Sequence, residues 1–455
     1  MTEAGKCYVA TFGCRVNQAD SESYVDTLKE KNFLPTNDHK DANVVVVNSC
    51  TVTHRSDADI RKLVSRIERE NPKAKVIVTG CYAQRDPEAL VQLKGTHAVL
   101  GNSDRHRLGE VVDRLTQEQS NADETIVIRN SMGELGVDDL PPVEPVSVVN
   151  DRTRPFIKIQ DGCDAKCTYC VIPSVRGAAR SAPAKEVIRS VRQLVEQGYF
   201  EIVLAGIHLG TYAHGDDSLD SVIRKVLQDI PELGRLRISC IEPMAFPMAL
   251  ADIAKEDSRL APHFHLPLQS GDNAVLRRMS RPYRDLDFQA ILDGIRARIP
   301  HACLGTDVIV GFPGESDEQF ENTYRFIQES GLNYVHVFSY SDRPGIPSTR
   351  MKDKVDPRIV KARSRRLNDL SAELWQRYLD QQVGKELDAL TLKSQKRSPE
   401  RTEALSDNYC QIILNQEQIS ANTSVRVKIT GRHQNQLHGS VLRRPPADAQ
   451  PQNRL

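Results

Sequence analysis

RPFIKIQDGCDAKCTYC, residues 154–170, is the stretch on which the fold turns. Its first half, RPFIKIQ, is a strand candidate, and the second half places Cys163, Cys167 and Cys170 on the loop that follows, spaced C-x3-C-x2-C. Thiolates gathered on one short loop can bind three irons of a 4Fe–4S cluster and leave the fourth iron open. Structural zinc is the alternative, but it takes four ligands and no fourth Cys or His lies nearby.

Outward from that loop, strands and helices alternate over about 151–380. EIVLAGI, RLRISCI, HFHLPL, LGTDVIVGF and YVHVFSY read as strands, with helices such as AKEVIRSVRQLVEQG and DEQFENTYRFIQES between them. About six β/α units predict a full or partial (β/α) barrel with its active site at the C-terminal strand ends. Residues 5–120 alternate likewise: KCYVATF, DSESYVDTLKEKN, ANVVVVNSC, DIRKLVSRIEREN and KVIVTGC predict a parallel sheet covered on both faces. A polar stretch, TQEQSNADE, and a proline-rich one, DLPPVEPV, predict a linker over 121–150. From 384 to 444 the strands are short and lack strong helices (ELDALTLK, TEALSDNYCQIIL, SVRVKITGR, LHGSVL), as in a small β-barrel of the oligonucleotide-binding kind. Residues 445–455 read as a disordered tail. The predicted class is therefore α/β: a parallel-sheet domain, a partial barrel and a small β-barrel.

A second cysteine trio lies in the first block. Cys14, Cys50 and Cys81 each follow a strand candidate, and in a parallel sheet those strand ends open on one edge, where ligands gather. Three thiolates there could hold a second 4Fe–4S cluster; three separate buried cysteines are the plainer alternative. Cys7, Cys240, Cys303 and Cys410 lie in apolar or strand-like segments and read as packing residues.

The 455 residues are 39% hydrophobic and 27% charged, which suits a globular protein of several domains. Lys+Arg and Asp+Glu both number 61, so no overall charge points to nucleic acid, membrane or acidic partners. Residues 384–455 carry 11 Lys+Arg against 7 Asp+Glu, a modest basic bias on the small β domain. Uninterrupted apolar runs are no longer than Val44–Val47, against about 18 residues for a membrane helix. No secretory leader is evident, and ten cysteines are too sparse for a disulfide scaffold, so a reducing cytoplasm is expected.

With both trios in view, the chain resembles the methylthiotransferases of the radical S-adenosylmethionine (AdoMet) superfamily over nearly its whole length. The matching stretches are TFGCRVNQADSE (11–22), VVNSCTVT (46–53), VTGCYAQ (78–84), GCDAKCTYCVIPSVRG (162–177), AGIHLG (205–210), SCIEP (239–243), HLPLQSGD (265–272), MSRPY (279–283) and DVIVGFPGE (307–315). Asp164 and Cys240 depart from the family's usual Asn and Ser. Three branches modify threonylcarbamoyladenosine in tRNA, isopentenyladenosine in tRNA, or an aspartate of a ribosomal protein. GCRVNQADS, SYSDRPGIPS (339–348) and ALSDNY (404–409) are similar to the first branch.

The resemblance implies two 4Fe–4S clusters, on Cys14/Cys50/Cys81 and on Cys163/Cys167/Cys170, and two uses of AdoMet. One molecule methylates a sulfur carried on the first cluster; another, reduced at the second, yields the adenosyl radical that takes hydrogen from C2 of the adenine at tRNA position 37. That carbon is neither acidic nor electrophilic, so a cofactor has to supply the chemistry. A sulfur donor and an electron donor are implied as partners, and the small β domain resembles an RNA-binding TRAM domain. An iron–sulfur electron carrier or RNA-binding regulator is the non-enzyme alternative.

AdoMet contacts are expected from Tyr169 beside the last cluster cysteine, Gly206 after the second barrel strand, Glu242 toward ribose hydroxyls, Gln269 and Ser270 at the rim, and Val310 and Gly311 at an adenine pocket. His263 and His265 alternate on one strand face, as ligands or as partnered core histidines. Arg426, Lys428 and Arg432 are spaced for phosphate contacts along one strand and its turn, or form a solvated face; RIVKARSRR (358–366) could touch the same RNA. A splayed-out anticodon-loop base suits recognition by flipping and stacking.

Overall fold

The computed structural model describes residues 4–117, 125–132, 135–136, 139–145, 152–393, 401–415 and 418–443. The expected tail, 445–455, and most of TQEQSNADE lie outside the described residues.

Six strands, β1 (Gly5–Thr11), β2 (Phe33–Pro35), β3 (Val44–Ser49), β4 (Lys75–Gly80), β5 (Ala98–Leu100) and β6 (Ile126–Ile128), form one parallel sheet in the order β2-β1-β3-β4-β5-β6. Its helices are α1 (Arg15–Glu30), α2 (His54–Glu70), α3 (Cys81–Arg85), α4 (Pro87–Val91) and α5 (Leu108–Thr116). Every residue of β3 is buried, because both faces are covered. Val44 and Val46 pack with Leu28 of α1 and Leu108 of α5; Val45 and Val47 turn the other way, onto Ile60 and Val64 of α2. Two expectations change. α1 starts directly after Cys14, well ahead of DSESYVDTLKEKN. Residues 126–128, read as linker, pair with β5 as the sixth strand because Ile128 adds to the apolar face under α5.

The central block holds six parallel strands in two arcs. β7 (Phe156–Lys158), β10 (Glu201–Ala205) and β13 (Arg235–Ile238) make one; β14 (His263–His265), β15 (Cys303–Val310) and β16 (Tyr334–Ser339) make the other. Single bridges, Leu236 to Leu260 and Cys240 to His265, join them into a partial barrel open between β7 and β16. Two small pairs decorate it: β8 (Gln160–Asp161) with β9 (Arg180–Ser181), and β11 (Ala213–His214) with β12 (Asp217–Ser218). The helices are α6 (Ile172–Arg176), α7 (Ala184–Glu196), α8 (Leu219–Asp229), α9 (Ala249–Glu256), α10 (Asn273–Arg278), α11 (Asp285–Arg298), α12 (Asp317–Glu329) and the long α13 (Pro357–Asp380).

Strands β17 (Glu386–Thr391), β18 (Arg401–Ser406), β19 (Gln411–Asn415), β20 (Ser424–His433) and β21 (Gln436–Arg443) close a five-stranded barrel. It stoppers the bottom of the central barrel. There Glu201 is buried among Arg154, Arg235 and Arg237, and the last two also donate to the carbonyls of Asp388, Ser406 and Asp407. Ligands therefore have the upper lumen and the C-terminal strand ends.

Candidate active site

The first trio collects at one sheet edge. Cys14 is the N-cap of α1, Cys50 follows β3, and Cys81 opens α3 straight after β4. Because β1, β3 and β4 are neighbours and parallel, their loops converge. Two left-handed glycines allow the close approach. A Cβ on Gly13 (φ +100°) would sit 2.9 Å from Cys50 Sγ, and one on Gly80 (φ +91°) 2.5 Å from the Ser49 carbonyl. Asn17 pins the loops together, donating to the carbonyls of Phe12 (2.8 Å) and Ser49 (3.1 Å).

The second trio rides on the loop after β8. The Cys163 amide donates to the Gly177 carbonyl (3.1 Å) and that of Cys170 to the Cys167 carbonyl (3.1 Å). Gly162 (φ +72°) is obligatory, since a Cβ there would lie 1.9 Å from the Ala178 carbonyl oxygen. The two trios adjoin through Cys81, which shares an apolar cluster with Val171 and Val175, just beyond Cys170. Asn102 spans the gap, its Nδ2 donating to Cys81 Sγ at 3.5 Å and to the Val175 carbonyl at 2.9 Å.

The donor set suits multinuclear clusters. A single tetrahedral ion holds its thiolates about 3.8 Å apart. Three thiols at each site are one short of the four ligands of a closed tetrahedral ion and match the three that leave one cluster iron open. Burial pushes the Cys50 thiol up to about 11 and the Cys170 thiol up to about 12, so thiolates at these sites need bound cations to balance them. Donors suited to sulfur are in place: Arg281 Nη1 lies 3.2 Å from Cys167 Sγ, and the Asn102 amide contacts Cys81.

A buried charge network joins the two domains beneath the trios. Arg176 is 1% exposed and donates to Asp161 Oδ1 (2.8 Å), Asp20 Oδ2 (2.9 Å) and Asn17 Oδ1 (2.5 Å). Lys158 bonds Asp20, and Arg105 bonds Asp161 at 2.8 Å. Burial alone would raise the Asp20 carboxyl, but Lys158 and Arg176 hold it down at about 2, below its ordinary 3.8. The carboxylate thus contributes stability in full above pH 3.8 that is lost as the pH falls toward 2. Urea unfolding at pH 5 and pH 2 is expected to show a stability loss that Asp20→Asn reduces by about 2 kcal/mol.

The expected AdoMet residues are placed unevenly. Glu242, after β13, pairs with Arg281, which also reaches Cys167; Tyr169 packs beside them with Met279 and Phe312. Gln269 (φ +71°) links β15 through its backbone, donating to the Asp307 carbonyl and accepting from Ile309. Ser270 turns away from the rim, its hydroxyl meeting Thr323 Oγ1 at 3.1 Å. Val310 buries its side chain in the core under the helices, leaving only backbone for an adenine. At Gly206 and Gly311 the space of a Cβ is filled by Leu209 and by Val360, so both glycines answer first to packing.

Lower in the lumen, Tyr334 Oη lies 2.9 Å from His263 Nε2 and 3.0 Å from His265 Nδ1, and His265 Nε2 lies 2.8 Å from Asp307 Oδ1. The two histidines are partnered, as one of the two expectations had it. His336 joins Asp307 at 3.2 Å, and Tyr409 of the C-terminal barrel stacks on His263 at 4.0 Å. On that barrel, Arg426 is paired with Asp388 (2.7 Å) and Arg432 with Asp380 (2.6 Å), so much of their charge is spoken for; Lys428 is half-buried. In 358–366, Arg363 is buried against Glu315 and Arg366 pairs with Glu321, leaving Lys361 and Arg365 exposed. Sequence reasoning passed over Arg15, Asp20, Arg176 and Arg281, although all four sit inside matched stretches, as charges among apolar and glycine positions.

Comparison with known proteins agrees with this architecture. Residues 157–327 match the Radical SAM superfamily and 6–101 match the family described as uncharacterized protein family UPF0004. The threonylcarbamoyladenosine tRNA methylthiotransferase of Bacillus subtilis is 36% identical over 427 residues, 92% of each chain. The chain belongs to the radical SAM tRNA methylthiotransferases. The corresponding Aquifex aeolicus enzyme is 34% identical, over 88% of this chain and 95% of that one. A tRNA-2-methylthio-N(6)-dimethylallyladenosine synthase of Bacillus velezensis is 32% identical, over 88% and 78%. In fold the chain is similar to the radical AdoMet methyltransferase TsrM of Kitasatospora setae (TM-score 0.56, 15% identity, 76% of this chain and 77% of that one). As a radical SAM methylthiotransferase the chain uses AdoMet and an iron–sulfur cluster. Among the described residues no helix is long and apolar enough to cross a membrane.

Proposed function

We propose that this methylthiotransferase places a methylthio group on C2 of N6-threonylcarbamoyladenosine at tRNA position 37, with two 4Fe–4S clusters held by Cys163/Cys167/Cys170 and Cys14/Cys50/Cys81. The observation that carries it is the apposition of the trios across Cys81, Val171 and Val175. A base held between them would meet a radical source on one side and a sulfur source on the other. When bound, the clusters and AdoMet supply the radical that removes hydrogen from C2 and the methylthio group that replaces it.

The chain's own residues bind, orient and exclude water. Arg281 and Glu242 form a charged strut against Cys167 that can meet the polar end of AdoMet. Backbone at Gly206, Val310 and Gly311, together with Gln269 and Tyr169, lines the remaining rim. The C-terminal barrel takes the tRNA stem, with Lys428 and the exposed Lys361 and Arg365 of α13 as phosphate contacts. An electron donor and a sulfur donor complete the cycle in the cytoplasm.

Mass spectrometry of tRNA nucleosides from cells lacking the protein tests this. The 2-methylthio-N6-threonylcarbamoyladenosine signal is expected to vanish, and to return with wild type but not with Cys14→Ala or Cys163→Ala. If it persists while the isopentenyl derivative or a ribosomal aspartate loses its methylthio group, the substrate assignment is wrong.

A further inference from the structure

The threonylcarbamoyl arm carries a urea, a hydroxyl and a carboxylate, where an isopentenyl arm is apolar throughout. A site that selects it needs a cation and hydrogen-bonding groups, because an apolar pocket cannot repay desolvation of a carboxylate. The arm hangs from C6, two ring bonds from C2. If C2 is presented to sulfur held at Cys14/Cys50/Cys81, the arm ends within a side chain's reach of that trio.

Arg15 stands there. It follows Cys14 directly, is half-buried, and makes one hydrogen bond, from Nη2 to Tyr409 Oη at 3.3 Å. Among the described residues no carboxylate lies within ion-pair distance of it, whereas Arg154, Arg235 and Arg237 around the same lumen share Glu201 and Arg281 pairs with Glu242. Tyr409, its partner, stacks on His263 at 4.0 Å, and His263 meets Tyr334 Oη at 2.9 Å, so the guanidinium sits beside the aromatic cluster of the lumen. Its neighbours there suit a polar arm on a flat base: Tyr409 stacks on His263 at 4.0 Å, Tyr334 lies nearly parallel at 6.2 Å from His263 and 6.4 Å from Tyr409, and His336 is 58% exposed. A cleft of about 440 Å³ opens onto Tyr334, His336 and Tyr409 from the side, with Asn368, Gln411 and Asn435 on its walls.

We propose that Arg15 is the specificity determinant for the substrate's side arm: its guanidinium, aligned by the Tyr409 hydroxyl, pairs the carboxylate of the threonylcarbamoyl group. The assignment rests on the proposed function and deepens it. It also makes Tyr409 a positioning residue, so the C-terminal barrel contributes to substrate choice as well as to RNA affinity.

The test is binding of the full-length holoprotein to anticodon stem-loops bearing threonylcarbamoyladenosine or its neutral methyl ester. For wild type the ester is expected to bind roughly 10–100-fold more weakly, the worth of a hydrogen-bonded ion pair in a half-buried site. In Arg15→Gln the acid and the ester are expected to bind within about 2-fold of each other, while Arg15→Lys retains most of the difference. Each ratio is taken within one protein preparation, so partial loss of folding or of cluster cancels. Arg15→Gln keeping the wild-type ratio, or wild type showing none while still methylthiolating the acid, overturns the assignment. A wild-type protein that methylthiolates an isopentenyl stem-loop and not the threonylcarbamoyl one sinks the proposed function instead.

Discussion

Cys163→Ala is expected to abolish reductive AdoMet cleavage and to halve the iron bound by the reconstituted protein. Cys14→Ala is expected to halve the iron while leaving AdoMet cleavage in place. On the proposed function each removes one of three ligands to a cluster the reaction requires, so both are expected to lose methylthiolated product by more than about 10³-fold. The asymmetry follows from the fold. Cys163 lies on the loop at the C-terminal rim of the barrel, beside the Glu242–Arg281 strut, whereas Cys14 lies on the edge of a separate sheet. Iron analysis and quantification of 5′-deoxyadenosine on the same samples check both halves. Equal loss of AdoMet cleavage in the two variants would mean that one cluster, not two, is present.

Arg176→Met is expected to lower stability by about 3–5 kcal/mol, because it breaks two buried ion pairs at once and leaves Asp20 to Lys158 and Asp161 to Arg105 in the interface. Arg176 is fully enclosed, and its guanidinium is pulled upward in basicity by Asp161, Cys81 and Asp20 against the cost of burial. Urea unfolding measures the loss, and Asp20→Asn in the same chain should return part of it, as expected of two groups in one network. A cost under about 1 kcal/mol would show that the pair joins the domains without stabilising them. Since Asn17, Asp20 and Arg176 also brace the Cys14 and Cys170 loops, iron content should fall together with stability.

Chain order alone made the cysteine trios legible. C-x3-C-x2-C is local, so its geometry follows from one loop, and the Cys14/Cys50/Cys81 set could be inferred because parallel strands put their C-terminal ends on one edge. The burial of Val44–Val47 on both faces and the small C-terminal barrel followed from patterning of the same kind. Short segments were harder. Ile126–Ile128 carries too few residues to show a period, and it becomes a strand only because β5 offers it an edge. The start of α1 was hidden because RVNQAD is mostly polar; its Asn17 and Asp20 meet the Arg176–Asp161–Lys158 network, which belongs to the barrel.

The rim residues mark the other limit. Gly206, Ser270, Val310 and Gly311 were placed by strand position, yet Leu209, Thr323, the helix-side core and Val360 occupy their sides, and no sequence states which neighbour reaches a turn first. By itself the sequence determined the α/β class, the order of the three units and the six thiols, because each depends on patterns within a strand or a loop. Tertiary structure alone decided which charges meet. Arg15 reaches Tyr409 and Arg176 joins Asp20 to Asp161 across hundreds and scores of residues, since a long side chain finds its partner through packing that chain distance does not encode.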